Sequence, residues 1–159
     1  MTETLRRAVP DDLERLLTLV EAFYVMDGHD YDEQRVGRAL IPLLADDRRG
    51  QVWVLSDETT GHVSGYAVVT WSWSLESGGM DAILDEIFVE YRNHGAGGRL
   101  LRHSLASAAR AGATRMYLET AAHNEMVRRF YRRNGFVPDD SIWMSADLEP
   151  ADQPACSSE

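Results

Sequence analysis

The segment Arg92-Asn93-His94-Gly95-Ala96-Gly97-Gly98 follows an apolar strand pattern, Ile83 to Val89, and opens into a helical pattern at Arg99-Leu100-Leu101. Glycines let a backbone approach an anion closely, and the free N–H groups of a helix start point at its negative charge. The chemistry predicted is the cradling of a phosphate, with a diphosphate as the expected ligand. A second unusual pair precedes the loop. Asp85-Glu86 interrupts an otherwise apolar strand, with Ile83-Leu84 before it and Ile87-Phe88-Val89 after it. A central strand has no ordinary use for charge there. Adjacent strand residues face opposite sides, so the pleat predicts that Asp85 and Glu86 do not both face one site. A carboxylate in this setting serves either as a base or as the partner of an arginine at a sheet edge, and both readings stay open.

The spacing separates the sites that could use such a loop. A dinucleotide fingerprint would need glycine where the chain has Leu100, which also disfavours a nicotinamide dinucleotide binder using Glu119 for ribose. No Lys-Ser or Lys-Thr pair follows the glycines, so the P-loop fails as well.

The elements that must position these residues follow from pattern. Thr4 to Val9 reads as a first strand, and Pro10-Asp11-Asp12 as a helix start with acidic residues in its first turn. Leu13, Leu16, Leu17, Val20 and Tyr24 recur at helical spacing up to Asp27-Gly28. Asp32 to Ala45 is a second helix that Pro42 is expected to kink or divide. Gln51 to Ser56, His62 to Trp73 and Met80 to Val89 have strand composition and suggest an antiparallel meander. Arg99 to Ala111 reads as a helix ended by Gly112, Arg115 to Glu119 as a short strand, Asn124 to Asn134 as a helix stopped by Gly135, and Ile142 to Leu148 as a last strand. The result is a mixed α/β order. Residues 1–148 are expected to form one domain, followed by a polar tail at 149–159 that is expected to be disordered.

With 159 residues, 44% hydrophobic and 26% charged, the chain has the size and composition of one globular domain. No apolar run approaches the ~20 residues of a membrane span, and the first residues lack the apolar core of a secretory signal. The expectation is a soluble cytoplasmic protein without membrane partners. A net charge of −10 disfavours nucleic acid and suits cationic partners such as amines, although solubility alone also accounts for it. The single cysteine, Cys156, lies in the polar tail, which argues against a cysteine acyl-enzyme. Five scattered histidines give no support for a metal site, so no metal is expected.

Arg-x-x-Gly-x-Gly from Arg92 to Gly97, followed by Asn124-Glu125-Met126-Val127-Arg128-Arg129-Phe130-Tyr131-Arg132-Arg133-Asn134-Gly135-Phe136, resembles the two signature motifs of the GNAT superfamily of acyl-CoA-dependent N-acetyltransferases. The similarity runs from about Thr4 to Leu148 and is strongest from Asp81 to Phe136. It implies a GNAT-type fold: a mostly antiparallel mixed sheet, flanked by about four helices and splayed between its fourth and fifth strands, with acetyl-CoA as co-substrate in the gap.

The implied reaction is attack of an amine on a thioester. An alkyl ammonium of pKa ~10.4 must first lose a proton, so a base is needed. By register with Val89, Glu86 matches the carboxylate that serves several branches of the family as base. Tyr131 matches the tyrosine whose phenol lies near the thioester sulfur and can protonate the leaving thiolate. A backbone amide at Phe88 or Val89 would be the oxyanion donor, on a strand bulge. The resemblance assigns Ile87, Phe88, Val89, Arg92, Gly95, Ala96, Gly97, Gly98, Asn124 and Tyr131 to acyl-CoA binding, with Asn124 able also to serve as an N-cap. Only Glu90 and Tyr91 stand between Val89 and Arg92, where many relatives carry a longer stretch, so the phosphate contacts themselves stay open.

Acceptor specificity in the family resides between the first two helices and in the hairpin before the CoA strand. Here those segments supply Tyr24, Asp27, Tyr31, Trp73 and Glu76, aromatic and acidic residues suited to a cationic amine. The expected function is direct acetyl transfer to a primary amine of a small molecule or peptide. The alternative is a catalytically silent acyl-CoA sensor or complex subunit. By analogy with the family, a homodimer about the last strand near Trp143 is also open.

Overall fold

The computed structural model describes residues 3–92 and 95–148. Asn93 and His94 of the glycine loop, and the tail at 149–159, lie outside the described residues.

The chain runs through β1 (Glu3–Arg7), a 3-10 turn (Pro10–Asp12), α1 (Leu13–Asp27), α2 (Glu33–Ala45), β2 (Gly50–Asp57), β3 (Val63–Ser74), β4 (Gly79–Val89), α3 (Ala96–Ala111), β5 (Met116–Tyr117) and α4 (Glu125–Arg133). The sheet order is β1-β2-β3-β4-β5, antiparallel except for the parallel β4–β5 pair. That last pairing is short: Ala82 faces Met116 and Ile83 faces Tyr117, and no further β4–β5 pair forms among the described residues. From Leu84 onward the two strands part, as the expected splay requires.

Two apolar layers sandwich the sheet. On one face α1 and α2 contribute Leu16, Leu19, Val20, Val36, Leu40, Leu43 and Leu44, packed on Val52, Val54, Tyr66, Val68 and Phe88. On the other, Leu100, Leu101 and Ala108 of α3 cover Ala67, Val69, Ala82 and Leu84, with Ile87, Val89, Phe130 and Tyr131 at the margin.

These layers reveal a change of side within β4. Ala82 and Leu84 face α3, yet further along it is Ile87 and Val89, three and five positions past Leu84, that do so rather than Glu86 and Phe88. Strand β3 shows no matching change, because Tyr66 and Val68 stay on the α1 face and Ala67 and Val69 on the α3 face. The register supplies the reason: Val68 pairs with Glu86 and Val69 with Leu84, leaving Asp85 as an extra residue. This is a β-bulge, two residues against one, and it inverts the pleat downstream.

Several elements depart from expectation. Helix α2 is not divided by Pro42 but continues to Ala45. Pro42 lies in the last turn, where losing one backbone bond is offset by burying Leu43 and Leu44 on the sheet. The strand expected at Arg115 to Glu119 is only Met116–Tyr117. The strand expected at Ile142 to Leu148 does not form. Its composition suits a strand, but it finds no ladder partner, and Ile142 and Met144 remain 86% and 91% exposed. Among the described residues, no helix is long and apolar enough to cross a membrane.

Candidate active site

On the α1 face, Glu86 is held by two phenols. Tyr66 Oη donates to Glu86 Oε2 at 2.7 Å, and Tyr24 Oη donates to Oε1 at 2.8 Å. Tyr66 comes from the neighbouring strand and is fully buried; Tyr24 comes from α1 and is half-buried. No arginine lies within ion-pair reach of Glu86 among the described residues, so the sheet-edge pairing considered from the sequence does not occur. Burial pushes the Glu86 carboxyl above its ordinary value, and the two phenol bonds only partly oppose this. Tyr66 is pushed strongly upward by its own desolvation, then by the Glu86 charge, and Tyr24 rises to about 12 for the same reasons. Both phenols stay protonated donors at neutral pH.

Glu86 opens into a cavity of about 410 Å³ lined by Phe23, Tyr24, His29, Asp30, Arg35 and Asp85. The presence of Asp85 corrects the expectation that the two carboxylates face opposite sides: the bulge turns both toward this cavity. Asp85 is exposed, and the partial desolvation it does meet raises its pKa as well.

The opposite margin of β4 faces the gap. Glu90 N donates to Ser64 O, and ladder alternation then directs the Phe88 N–H at β3 and those of Ile87 and Val89 away from it. A bulge was expected near Phe88 or Val89; it occurs at Asp85, and the Phe88 amide is spent on the ladder. Gly65 permits the close approach of β3 here, since a Cβ on it would lie 2.8 Å from Val89 Cγ1 and 2.9 Å from Phe88 O.

The start of α3 fits a diphosphate. Gly95 is the N-cap in a left-handed conformation, φ +74°, and makes no side-chain cap. The first in-helix bond runs from Arg99 N to Gly95 O, so the amides of Ala96, Gly97 and Gly98 have no intrahelical acceptor. The first turn carries no acidic residue. Gly97 sits against Phe130 and Val89, and Gly98 against Arg102 and Asn134. Arg92 turns instead toward α1, where its guanidinium contacts the Met26 sulfur.

Tyr131 lies on the α3 face. Its ring packs edge-on against Phe130 and Phe136, and desolvation pushes its phenol up to about 12. The hydroxyl makes no hydrogen bond among the described residues. Tyr131 borders a groove of about 1400 Å³ between β5, α4 and the stretch from Phe136 to Met144. Asn124 accepts a bond from Val127 N at 3.2 Å, so it is an N-cap of α4 whose amide NH₂ stays free to donate.

The expected acceptor residues divide into two groups. Tyr31 stacks edge-on with Tyr24, and Asp27 pairs with His29 at 2.8 Å, so both border the Glu86 cavity at second hand. Trp73 and Glu76 do not reach it. Trp73 lies five positions along β3 from Val68, the residue opposite Glu86, which is roughly 17 Å at ~3.3 Å per residue. The sequence reading missed Tyr66 and Arg35. Tyr66 carried a signal, because a tyrosine inside an apolar strand needs a partner for its hydroxyl and an interior carboxylate is one.

Comparison with known proteins agrees with this fold. Residues 13–136 match the acetyltransferase (GNAT) family. An uncharacterized N-acetyltransferase of Bacillus subtilis, YhfO, is 34% identical over 88 residues, 54% of this chain. The chain spans 59% of that relative's length. An integron cassette protein from the mobile metagenome of Cole Harbour Salt Marsh superposes with a TM-score of 0.79 at 26% identity, covering 92% of this chain and 91% of that one. A possible acetyltransferase from Clostridium difficile 630 superposes at 0.81 with 19% identity, covering 94% and 100%, a likeness of fold.

Proposed function

The chain belongs to the GNAT acetyltransferase family, and from that premise we propose that it transfers the acetyl group of acetyl-CoA directly to a primary amine of a small cationic molecule or peptide. One observation carries the proposal. A desolvated carboxylate, Glu86, is fixed by two phenols on one face of β4, while the unpaired amide edge of the same strand faces the gap toward Tyr131. Acetyl-CoA supplies the thioester carbonyl when bound. The amides of Ala96, Gly97 and Gly98 receive its diphosphate, and Ile87, Val89 and the Asn124 amide line its path. Glu86 takes a proton from the acceptor ammonium, directly or through one water, and its raised pKa suits a base working near neutrality. The Val89 N–H donates to the carbonyl oxygen as negative charge develops. As the nitrogen–carbon bond forms and the carbon–sulfur bond breaks, the attached nitrogen sheds its second proton to solvent and Tyr131 gives its proton to the thiolate. Exchange with solvent then restores both residues.

A second reading draws on the separation of Glu86 and Tyr131 into different cavities: a catalytically silent acyl-CoA-binding module. Both readings are tested by following CoA release from acetyl-CoA with a pool of polyamines, aminoglycosides, amino acids and lysine peptides, with products identified by mass. An acetylated product supports transfer and names the acceptor class. Acetyl-CoA binding without product supports the module. A homodimer through exposed Ile142-Trp143-Met144 belongs to the same proposal and is decided by sedimentation.

A further inference from the structure

The two phenols on Glu86 are not equivalent. Tyr24, half-buried on α1, lines the cavity of about 410 Å³, whereas Tyr66 on β3 is fully buried and does not border it. Each hydroxyl makes one hydrogen bond among the described residues, to its own oxygen of Glu86. The other charged or titratable groups on the cavity wall are Asp85, His29, Asp30 and Arg35, and none of them bonds to the Glu86 carboxylate. His29 Nε2 pairs instead with Asp27, and Arg35 donates to the Asp30 carbonyl at 2.7 Å.

A carboxylate only accepts hydrogen bonds, but once protonated it also has a hydrogen to donate. Of its two partners, Tyr66 cannot turn to receive that hydrogen. Its fully buried O–H has no other hydrogen-bond partner among the described residues, and an unsatisfied buried donor is costly. Tyr24 can turn, because its hydroxyl borders the cavity, where water or the acceptor nitrogen receives it. The 2.8 Å bond from Tyr24 Oη to Glu86 Oε1 is therefore already aligned for a proton to pass. As the ammonium N–H bond breaks, its proton joins Tyr24 Oη while the hydrogen that Tyr24 held moves to Oε1. The nitrogen keeps its electron pair and becomes neutral, Glu86 becomes neutral, and the phenol retains one hydrogen throughout. No phenolate forms, so a phenol pKa of about 12 does not oppose the step.

We infer that Tyr24 is a catalytic residue that carries the acceptor's proton to Glu86, and that Tyr66 is a positioning residue that only holds the carboxylate. The inference rests on the transfer reading of this cavity, and two measurements on the full chain separate them. The first needs no turnover: infrared difference spectra across the Glu86 titration follow the protonated carboxyl band that Glu86→Gln removes. With it, a tyrosine C–O band is expected to move from the donor to the acceptor position, lost in Tyr24→Phe and kept in Tyr66→Phe. A band lost in Tyr66→Phe instead, or no tyrosine band at all, overturns the inference. Thermal melts verify that both variants fold, and retention of the band in Tyr66→Phe assigns it to Tyr24 even without the Tyr24 variant. The second measurement reads CoA release from acetyl-CoA over pH, with butylamine as the amine probe. Tyr24→Phe is expected to lower the high-pH plateau of kcat about tenfold or more, while Tyr66→Phe moves the acidic limb and recovers as pH rises. A merely structural Tyr24 would move the limb alone, so a Tyr24→Phe plateau equal to that of the wild type overturns the inference and leaves transfer intact. The Tyr24 band shift without CoA release from the wild type sustains the proton path and refutes transfer.

Discussion

Tyr66 and Glu86 meet across the β3–β4 ladder at 2.7 Å, a fully buried phenol donating to a desolvated carboxylate from the strand beside it. The phenol bond lowers the Glu86 pKa while burial raises it further. Removing the phenol therefore shifts the balance upward. In Tyr66→Phe the rate should still rise with pH, but its acidic limb should move to higher pH than in the wild type. A pH profile of kcat/KM for CoA release reads this, and an unmoved limb would separate Glu86 from the base. Losing the bond is also expected to cost about 1–3 kcal/mol of stability.

Glu86→Gln keeps the shape and one acceptor oxygen but cannot take a proton. The expected result is a fall in kcat of about 10²–10⁴ with acetyl-CoA affinity unchanged. Steady-state rates alongside calorimetric acetyl-CoA binding check it; an unchanged kcat would exclude the base assignment.

Tyr131→Phe retains the ring packing against Phe130 and Phe136. The melting temperature is expected to hold while kcat falls by about 10- to 100-fold, in the lower range for a positioned acid. Thiol leaving groups of lower pKa should be less affected, which a series of acyl donors would reveal.

Gly65→Ala places a methyl group 2.8 Å from Val89 Cγ1 and 2.9 Å from Phe88 O, closer than carbon contacts allow. Separating β3 from β4 is expected to cost about 1–3 kcal/mol and to displace the Val89 amide. Denaturant melts should show the loss of stability, and a larger effect on kcat than on acetyl-CoA affinity would locate the disturbance at the reacting carbonyl.

Asp12 receives Arg6 in a two-pronged pair at 2.7 and 2.9 Å and also caps Val9 N at 2.8 Å. The Arg6 bonds hold its carboxyl below the ordinary value of 3.8. Stability from ionised Asp12 is therefore present above 3.8 and lost as pH falls through the lower folded-state value. Asp12→Asn is expected to lower stability by about 1–3 kcal/mol at pH 7, the difference narrowing on strong acidification.

The sequence disclosed the parts of this molecule governed by local chemistry. The apolar stripe of α1 and the cap at Asn124 each depend on short-range pattern or bonding, and each lies where the pattern put it, whereas the helix expected from Arg99 begins earlier, at Ala96, and takes in Gly97 and Gly98. What escaped was set by pairing between distant segments. Strict alternation along Ile83 to Val89 assigns Asp85 and Glu86 to opposite faces, and only the register against Val68 and Val69 shows otherwise. Ile142 to Leu148 has a strand's composition, but a strand exists only where a neighbour offers its ladder. The remoteness of Trp73 from Glu86 likewise depends on how far the hairpin extends, which residue type does not encode.

The extra residue in β4 is an insertion that the sheet absorbs at a single point. Upstream of Asp85 the strand seals against α3; downstream it opens Glu86 toward α1. Because Val69 stays opposite Leu84 and Val68 opposite Glu86, deleting Asp85 would even the pleat while leaving every other side chain of the strand on its present face. The added residue thus brings a second carboxylate to the cavity without turning the strand over.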